Sequence, residues 1–243
     1  MIKDTAFYNK ESIIYSEKRY PVVVTDYIQF FFKTRLRFVL EYLTKNTYGK
    51  QRLTLLEIGC ADGIILREIK KSLGPVFVDL IGTDISPEMI RAAQEKNAGT
   101  EIRFMQRSEY IHALPQDYII EIGVINYAIL VEELEYIAQH LKKDGIAIIS
   151  LAGTGSLWDI RRKNDSGFKT FLSYMEYEAA ILKHFTIEKS IAVGLPIPII
   201  WRVPPCARIL QPLIEKILWP IAPNLFHEKI YIIKLKDESK SQE

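Results

Sequence analysis

Between residues 53 and 84 the chain twice carries an apolar run into an acid, and the first run ends in a glycine-rich turn. Leu53–Ile58 reads as a strand, Glu57-Ile58-Gly59-Cys60-Ala61-Asp62-Gly63 as its end and the turn, and the amphipathic stretch from Asp62 or Gly63 as a helix. A second apolar run, Val76–Thr83, finishes at Asp84. Short apolar strands alternating with helices build a parallel sheet covered on both faces. Such sheets bind ligands beyond the carboxyl ends of their strands, where the strand order reverses.

The alternation continues. Further strands are expected at Glu101–Met105, Tyr118–Val124 and Ile146–Leu151, with helices near Ile64–Leu73, Pro87–Asn97 and Val131–Leu141. Ser86 is placed to cap the second helix, with Pro87 at its first position and Glu88 in its first turn. Lys142-Lys143-Asp144-Gly145 is expected to stop the third. Upstream, an aromatic helix begins at Thr25 or Asp26, with Tyr27, Ile28, Phe31, Phe32, Val39, Leu40 and Leu43 on one face, and Asn46–Arg52 links it to the core. Downstream come a loop from Ala152 to Ser156, a helix around Phe171–His184, and strands Thr186–Val193 and Lys229–Leu235. Gly194–His227, between those strands, is rich in proline and holds Trp201 and Trp219.

At 243 residues the chain suits one α/β domain with elaborations. Hydrophobic residues make up 48%, enough for a full core, and the net charge of +2 gives no electrostatic reason to expect nucleic acid. Arg161-Arg162-Lys163 reads as a solvated loop. Cys60 and Cys206 lie far apart and share no metal-type spacing, so no metal site is expected and a reducing cytoplasm fits. The first residues lack the apolar core of a signal peptide, and no apolar run reaches the roughly 18–20 residues of a spanning helix. A cytoplasmic protein is expected, with peripheral contact to a membrane left open.

The turn at Gly59–Gly63 lets the backbone approach a ligand closely, and the helix behind it offers free N–H groups to an anion. A ligand with a carboxylate for that helix, an ammonium for Glu57 and ribose hydroxyls for Asp84 is S-adenosylmethionine. A dinucleotide fits worse, because Gly59-x-Ala61-x-Gly63 is not G-x-G-x-x-G and leaves Glu57 without a role.

Leu55–Gly63 resembles motif I of the class I S-adenosylmethionine-dependent methyltransferases, and Gly82-Thr83-Asp84-Ile85-Ser86-Pro87-Glu88-Met89-Ile90 resembles their second motif. Asp117–Val124 is similar to their fourth strand, and Leu141–Gly145 to their turn before strand five, so the resemblance spans Leu53–Leu151. It implies a doubly wound, mostly parallel seven-stranded Rossmann-like α/β sheet. Residues 1–50 then form a helical arm, 51–243 the cofactor-binding domain, and 194–227 a lid insert. It also implies cofactor contacts from Glu57, Gly59, Cys60, Ala61, Gly63, Asp84, Ile85, Met89, Ser108, Glu109, Gly123 and Val124. The chain departs from the family twice. Ala61 stands where glycine is usual, a small change if its φ is negative. After the third strand, where an aspartate often reads the adenine, Arg107 or Ser108 stands, leaving Glu109 or the Ser108 hydroxyl as substitutes.

In the family's topology the sixth strand is parallel and the seventh antiparallel beside it, so the 194–227 insert emerges over the cofactor. Ile209, Leu210, Leu213, Ile214, Ile217 and Leu218 form one face of a helix there, opposite Arg208, Gln211 and Glu215. That face either packs on the aromatic arm as a lid, or lines an apolar acceptor pocket or touches a membrane. Methyl transfer from a sulfonium is an in-line displacement, which needs alignment and sometimes a base, but no metal. His227, at the start of the seventh strand, is the candidate base, or else a histidine that fixes the lid. His140 and His184 point to the wrong end of the sheet, and His112 lies near the adenine. Tyr8, Tyr15 and Tyr20 are second candidates. Asn126-Tyr127 lacks the prolines of the base-methylase motif it partly matches. The expected function is methyl transfer to oxygen or nitrogen of a small, apolar or lipid-like acceptor. The competing expectations are an RNA or protein methyltransferase and a non-catalytic S-adenosylmethionine-binding partner.

Overall fold

The computed structural model describes residues 12–110, 114–161 and 167–237. Tyr8, His112, Arg162 and Lys163 therefore lie outside the described residues. Two arm helices, α1 (Tyr15–Arg19) and α2 (Tyr27–Asn46), lead into β1 (Leu53–Ile58), α3 (Ile64–Leu73), β2 (Phe77–Asp84), α4 (Pro87–Lys96), β3 (Ile102–Gln106) and β4 (Gln116–Glu121). Then follow α5 (Leu130–His140), β5 (Leu141–Ala152), α6 (Leu157–Arg161), α7 (Tyr174–His184), β6 (Phe185–Val193), α8 (Pro204–Leu218) and β7 (Glu228–Leu235).

The seven strands form one sheet in the order β3-β2-β1-β4-β5-β7-β6. Order reverses between β1 and β4, which places a crevice beyond their carboxyl ends. β7 is antiparallel to both of its neighbours, so β6 runs with the parallel strands. Successive strand residues face opposite layers: Leu55 joins α2, α3 and α4, whereas Leu56 joins α5 and α7. Burial on both faces explains the continuous apolar runs in the sequence.

Local chemistry sets the element ends. Asp26 caps α2 by accepting the Gln29 N–H at 2.9 Å, and Ser86 caps α4 by accepting the Met89 N–H at 3.2 Å. α7 begins at Tyr174, three residues later than expected, because Ser173 and Glu176 close a capping box. Lys142–Gly145 is no separate turn. Gln116 pairs with Leu141 and Tyr118 with Ile146, so these four residues bulge out of β5 opposite Asp117, which Lys142 Nζ reaches at 2.9 Å. Among the described residues no helix is long and apolar enough to cross a membrane.

Candidate functional site

The turn after β1 is bonded to the end of β2. The Gly59 and Cys60 N–H groups both donate to the Thr83 carbonyl, at 2.7 and 2.9 Å. Gly59, Ala61 and Gly63 all take positive φ, +70°, +48° and +76°. Ala61 thus lies in the left-handed region, so the condition under which alanine would be a small change is not met, and its strain is offset by an N–H bond to Asp84 Oδ2 at 3.0 Å. Asp84 Oδ1 accepts the Ser86 N–H at 2.9 Å. Each carboxylate oxygen keeps a lone pair for another donor. Burial raises the Asp84 pKa, although these backbone N–H bonds pull it down.

A cavity of about 990 Å³ opens at this turn, at the upper end of the roughly 300–1,000 Å³ of small-molecule sites. Of the residues expected from the sequence, Gly59, Ala61, Asp84, Ile85, Met89, Gly123, Val124 and His227 line it. Glu57, Cys60, Gly63, Ser108 and Glu109 do not, and each has a physical reason. A Cβ on Gly63 would lie 2.6 Å from Phe104, so this glycine serves close packing. Cys60 is buried beneath the turn, and burial pushes its thiol well above the ordinary range. The Glu57 carboxyl is buried as well and held well above the carboxylate range by that burial, despite a bond from the Leu66 N–H; its Oε2 has no partner. Ser108 points to solvent, and Glu109 folds back onto the Gln106 N–H at 3.1 Å.

Arg107 faces the cavity where an adenine-reading acid was sought. Its Nη1 lies 2.6 Å from Glu133 Oε1 on α5, and its guanidinium sits 4.2 Å from the Tyr136 ring centre. Beneath them the wholly buried Glu121 is held well above the carboxylate range, by desolvation first and by Glu133 next.

Beyond Gly123 and Val124 the wall is aromatic and comes from the arm. Tyr15, Tyr27, Phe31, Phe32 and Arg35 line it together with Trp158. His227 sits between the rings of Phe31 and Trp158, with centroids 5.6 and 5.3 Å away. Arg35 lies 4.6 and 4.3 Å from the Phe31 and Phe32 ring centres and pairs with Glu228 at 3.1 Å. It also abuts Gly123, where a Cβ would come 2.5 Å from its Nη1. Tyr15 is half-buried at the cavity wall, and desolvation pushes its hydroxyl up to about 12; Tyr20 packs edge-on to Phe32, off the cavity wall. α1 is tied to the turn through Asp62, which accepts the Ser16 N–H at 3.1 Å and pairs with Lys96 at 2.8 Å.

Asn126 lines the cavity yet serves the scaffold: its amide donates to the Ala152 and Thr170 carbonyls, and its Oδ1 accepts the Ala152 N–H. His140 and His184 end α5 and α7, at the opposite end of the sheet. The insert corrects the sequence reading most. From Gly194 to Phe226 it contributes no cavity wall among the described residues. α8 buries Ala207, Gln211 and Glu215, while Ile209, Leu210, Leu213 and Ile217 are exposed; only Ile214 and Leu218 of the expected face pack inward. The polar side faces in because the Leu195 backbone groups need partners, which Gln211 and Glu215 supply.

Arg35, Glu228, Arg107 and Glu133 were not singled out as site residues by the sequence, apart from Arg107 as an alignment oddity. Arg35 left one signal, a lone cation between Phe31 and Val39 on the apolar stripe of α2.

The fold and this crevice define a Rossmann-like protein of the kind that binds S-adenosylmethionine. Residues 56–147 match the model of the methyltransferase domain family. That segment carries both strand-end motifs, the fold is the Rossmann-like one of the class I S-adenosylmethionine-dependent methyltransferases, and S-adenosylmethionine is the cofactor. Over 120 residues it is 27% identical to a ubiquinone biosynthesis O-methyltransferase of Rickettsia canadensis; the match covers 48% of this chain and 50% of that protein. The matched segment thus spans about half the length of its curated relative. In fold it is similar to magnesium protoporphyrin IX methyltransferase from Synechocystis PCC 6803 with bound S-adenosylhomocysteine, at a TM-score of 0.66 and 14% identity, covering 96% of this chain and 98% of that one. It is also similar in fold to an N-methyltransferase from Bradyrhizobium japonicum WM9 in complex with S-adenosylhomocysteine, at a TM-score of 0.58 and 14% identity, covering 85% of this chain and 88% of that one.

Proposed function

We propose that this chain transfers the methyl group of S-adenosylmethionine to an oxygen or nitrogen of a small, apolar or lipid-like acceptor. The observation that carries this reading is a continuous cavity running from the glycine turn into the aromatic chamber of the arm. A chamber walled by Tyr27, Phe31, Phe32 and Trp158 suits an apolar molecule, and burial inside it excludes water. The relatives' names, with O- and N-methyl transfer among them, support the same reading.

When bound, S-adenosylmethionine supplies a methyl already activated by its sulfonium charge. In this reading Gly59, Ala61, Gly123 and Val124 shape its bed, Asp84 accepts its ribose hydroxyls, and Ile85 and Met89 flank its adenine. Cys60 and Gly63 hold the turn from behind, and the buried Glu57 lies beneath it. Arg107 with Glu133 replaces Ser108 and Glu109 at the adenine end. His227 takes the proton given up by the acceptor as its new bond to carbon forms and the carbon–sulfur bond breaks, the electron pair going to sulfur. Residues 1–50 act as the cap that closes the chamber over 51–243, and the 194–227 insert faces a membrane.

The test is methyl transfer from labelled cofactor into fractionated cell extract. Label in the apolar, low-molecular-weight fraction supports the reading; label only in RNA or protein, or none despite tight cofactor binding, overturns it. His227→Asn should lower kcat by roughly 100-fold or more with cofactor affinity unchanged.

A further inference from the structure

The helix of the insert is amphipathic with its polar side turned inward. Gln211 Nε2 donates to the Leu195 carbonyl at 2.6 Å and to Glu215 Oε1 at 2.9 Å, and the Leu195 N–H donates to the same Oε1 at 3.1 Å. This buried network holds α8 by its polar side. Ile209, Leu213 and Ile217, spaced one helical turn apart, point the other way and are 66, 54 and 63% exposed. The apolar surface continues into Val203 and Ile221 of the insert and into Val22 and Val23 of the arm, where Arg208 Nη1 donates to the Val24 carbonyl at 3.3 Å. Scattered exposed apolar residues need no explanation, but a contiguous stripe marks an interaction surface.

Charge then says what covers it. Within 194–227 the charged residues are Arg202, Arg208, Lys216 and Glu215. The three cations are exposed, and the one acid is buried in the Leu195 network. Beside the patch, the Asp26 carboxylate caps α2. A second copy would set the three exposed cations of the insert against the same three. Within the insert, an apolar stripe flanked by exposed cations, with its one acid buried, is the pattern of a helix lying in a lipid interface.

We infer that this face docks on the surface of an anionic lipid bilayer, with α8 in the interface plane and Ile209, Leu213 and Ile217 in the acyl boundary. Arg202, Arg208 and Lys216 meet the headgroups. Ile28, which is 39% exposed and also lines the cavity, follows the Val22–Val24 segment, so the chamber opens beside the docked surface. An apolar acceptor then enters from the bilayer without crossing water. The surface deepens the lipid-like reading of the acceptor and rests on it for that last step only.

Flotation of the purified protein with vesicles tests the docking without cofactor or acceptor, so its failure and that of methyl transfer are separate results. The protein should float with vesicles of equimolar phosphatidylcholine and phosphatidylglycerol and stay behind with phosphatidylcholine alone. Ile209→Ser with Leu213→Ser, and separately Lys216→Glu, should each weaken flotation about tenfold. Met175→Ser removes an even more exposed apolar side chain on α7 and should float as the parent does. Unchanged cofactor affinity in each variant shows an intact fold. The inference is overturned if the parent does not float, if phosphatidylcholine alone serves equally, or if Met175→Ser weakens flotation as the α8 variants do. A dimer that the α8 variants dissociate, without vesicle binding, overturns it in favour of a second copy.

Discussion

Arg35 and Glu228 meet at 3.1 Å across 193 residues of sequence, with side chains 5% and 4% exposed. The pair fixes the arm helix α2 to the start of β7. It also sets a guanidinium against Gly123, where the cofactor bed and the aromatic chamber join.

Breaking the pair from one side leaves a buried charge alone. Arg35→Met should therefore cost about 3–5 kcal/mol of stability, measured by urea denaturation. Arg35→Met combined with Glu228→Gln should recover a large part of that loss. A single variant as stable as the parent would show that the pair contributes nothing.

Asp84 organises two backbone N–H groups and faces the cavity. Asp84→Ala should weaken cofactor binding by about 1.5–3 kcal/mol, the range for a hydrogen bond to a charged group. Titration calorimetry reads this directly, and an unchanged Kd would remove Asp84 from the cofactor site.

Ala61 sits at φ +48°. A left-handed alanine costs about 1–2 kcal/mol, and glycine loses about 0.5–1 kcal/mol of chain entropy in exchange. Ala61→Gly should therefore stabilise the protein by up to about 1 kcal/mol, raising Tm by roughly 2–4 °C. Ala61→Val should lower it. Calorimetric scans of the three proteins decide, and a lower Tm for the glycine variant would refute the strain.

The pKa of Asp84 lies above its ordinary value of 3.8 and that of Glu57 well above 4.5, burial being the largest cause in both. Carboxyls raised in the folded state contribute most to stability below their unfolded values and lose that contribution as pH rises through the folded values. The cofactor-free protein should thus gain stability from these two groups on mild acidification from neutrality. Cofactor binding runs the other way at Asp84, since hydrogen bonds from ribose hydroxyls favour its ionised form. The rise in Tm at saturating S-adenosylmethionine should be larger near neutrality than in acetate buffer. An equal shift in both would show that Asp84 does not titrate with binding.

The core sheet was legible because its signals are local. β1 and α3 match their expected spans, and the Ser86–Pro87 start of α4 is written in adjacent residues. The seven-stranded, mostly parallel sheet with an antiparallel seventh strand came from the family resemblance, and the structure adopts it. The bulge at Lys142–Gly145 was not legible, because it depends on the pairing partner of β5 rather than on the residues themselves.

The sequence by itself determined the fold class, the cofactor and the glycine turn, each encoded in short contiguous stretches whose periodicity and backbone freedom act locally. Tertiary structure alone decided the rest of the site. It brought Arg35 to Glu228 and His227 between Phe31 and Trp158, contacts between segments far apart in the chain. It also chose which side of α8 faces in. Hydrophobic periodicity predicts the apolar side, but the buried Leu195 backbone required hydrogen-bond partners, and that requirement turned Gln211 and Glu215 inward and left Ile209, Leu213 and Ile217 outside.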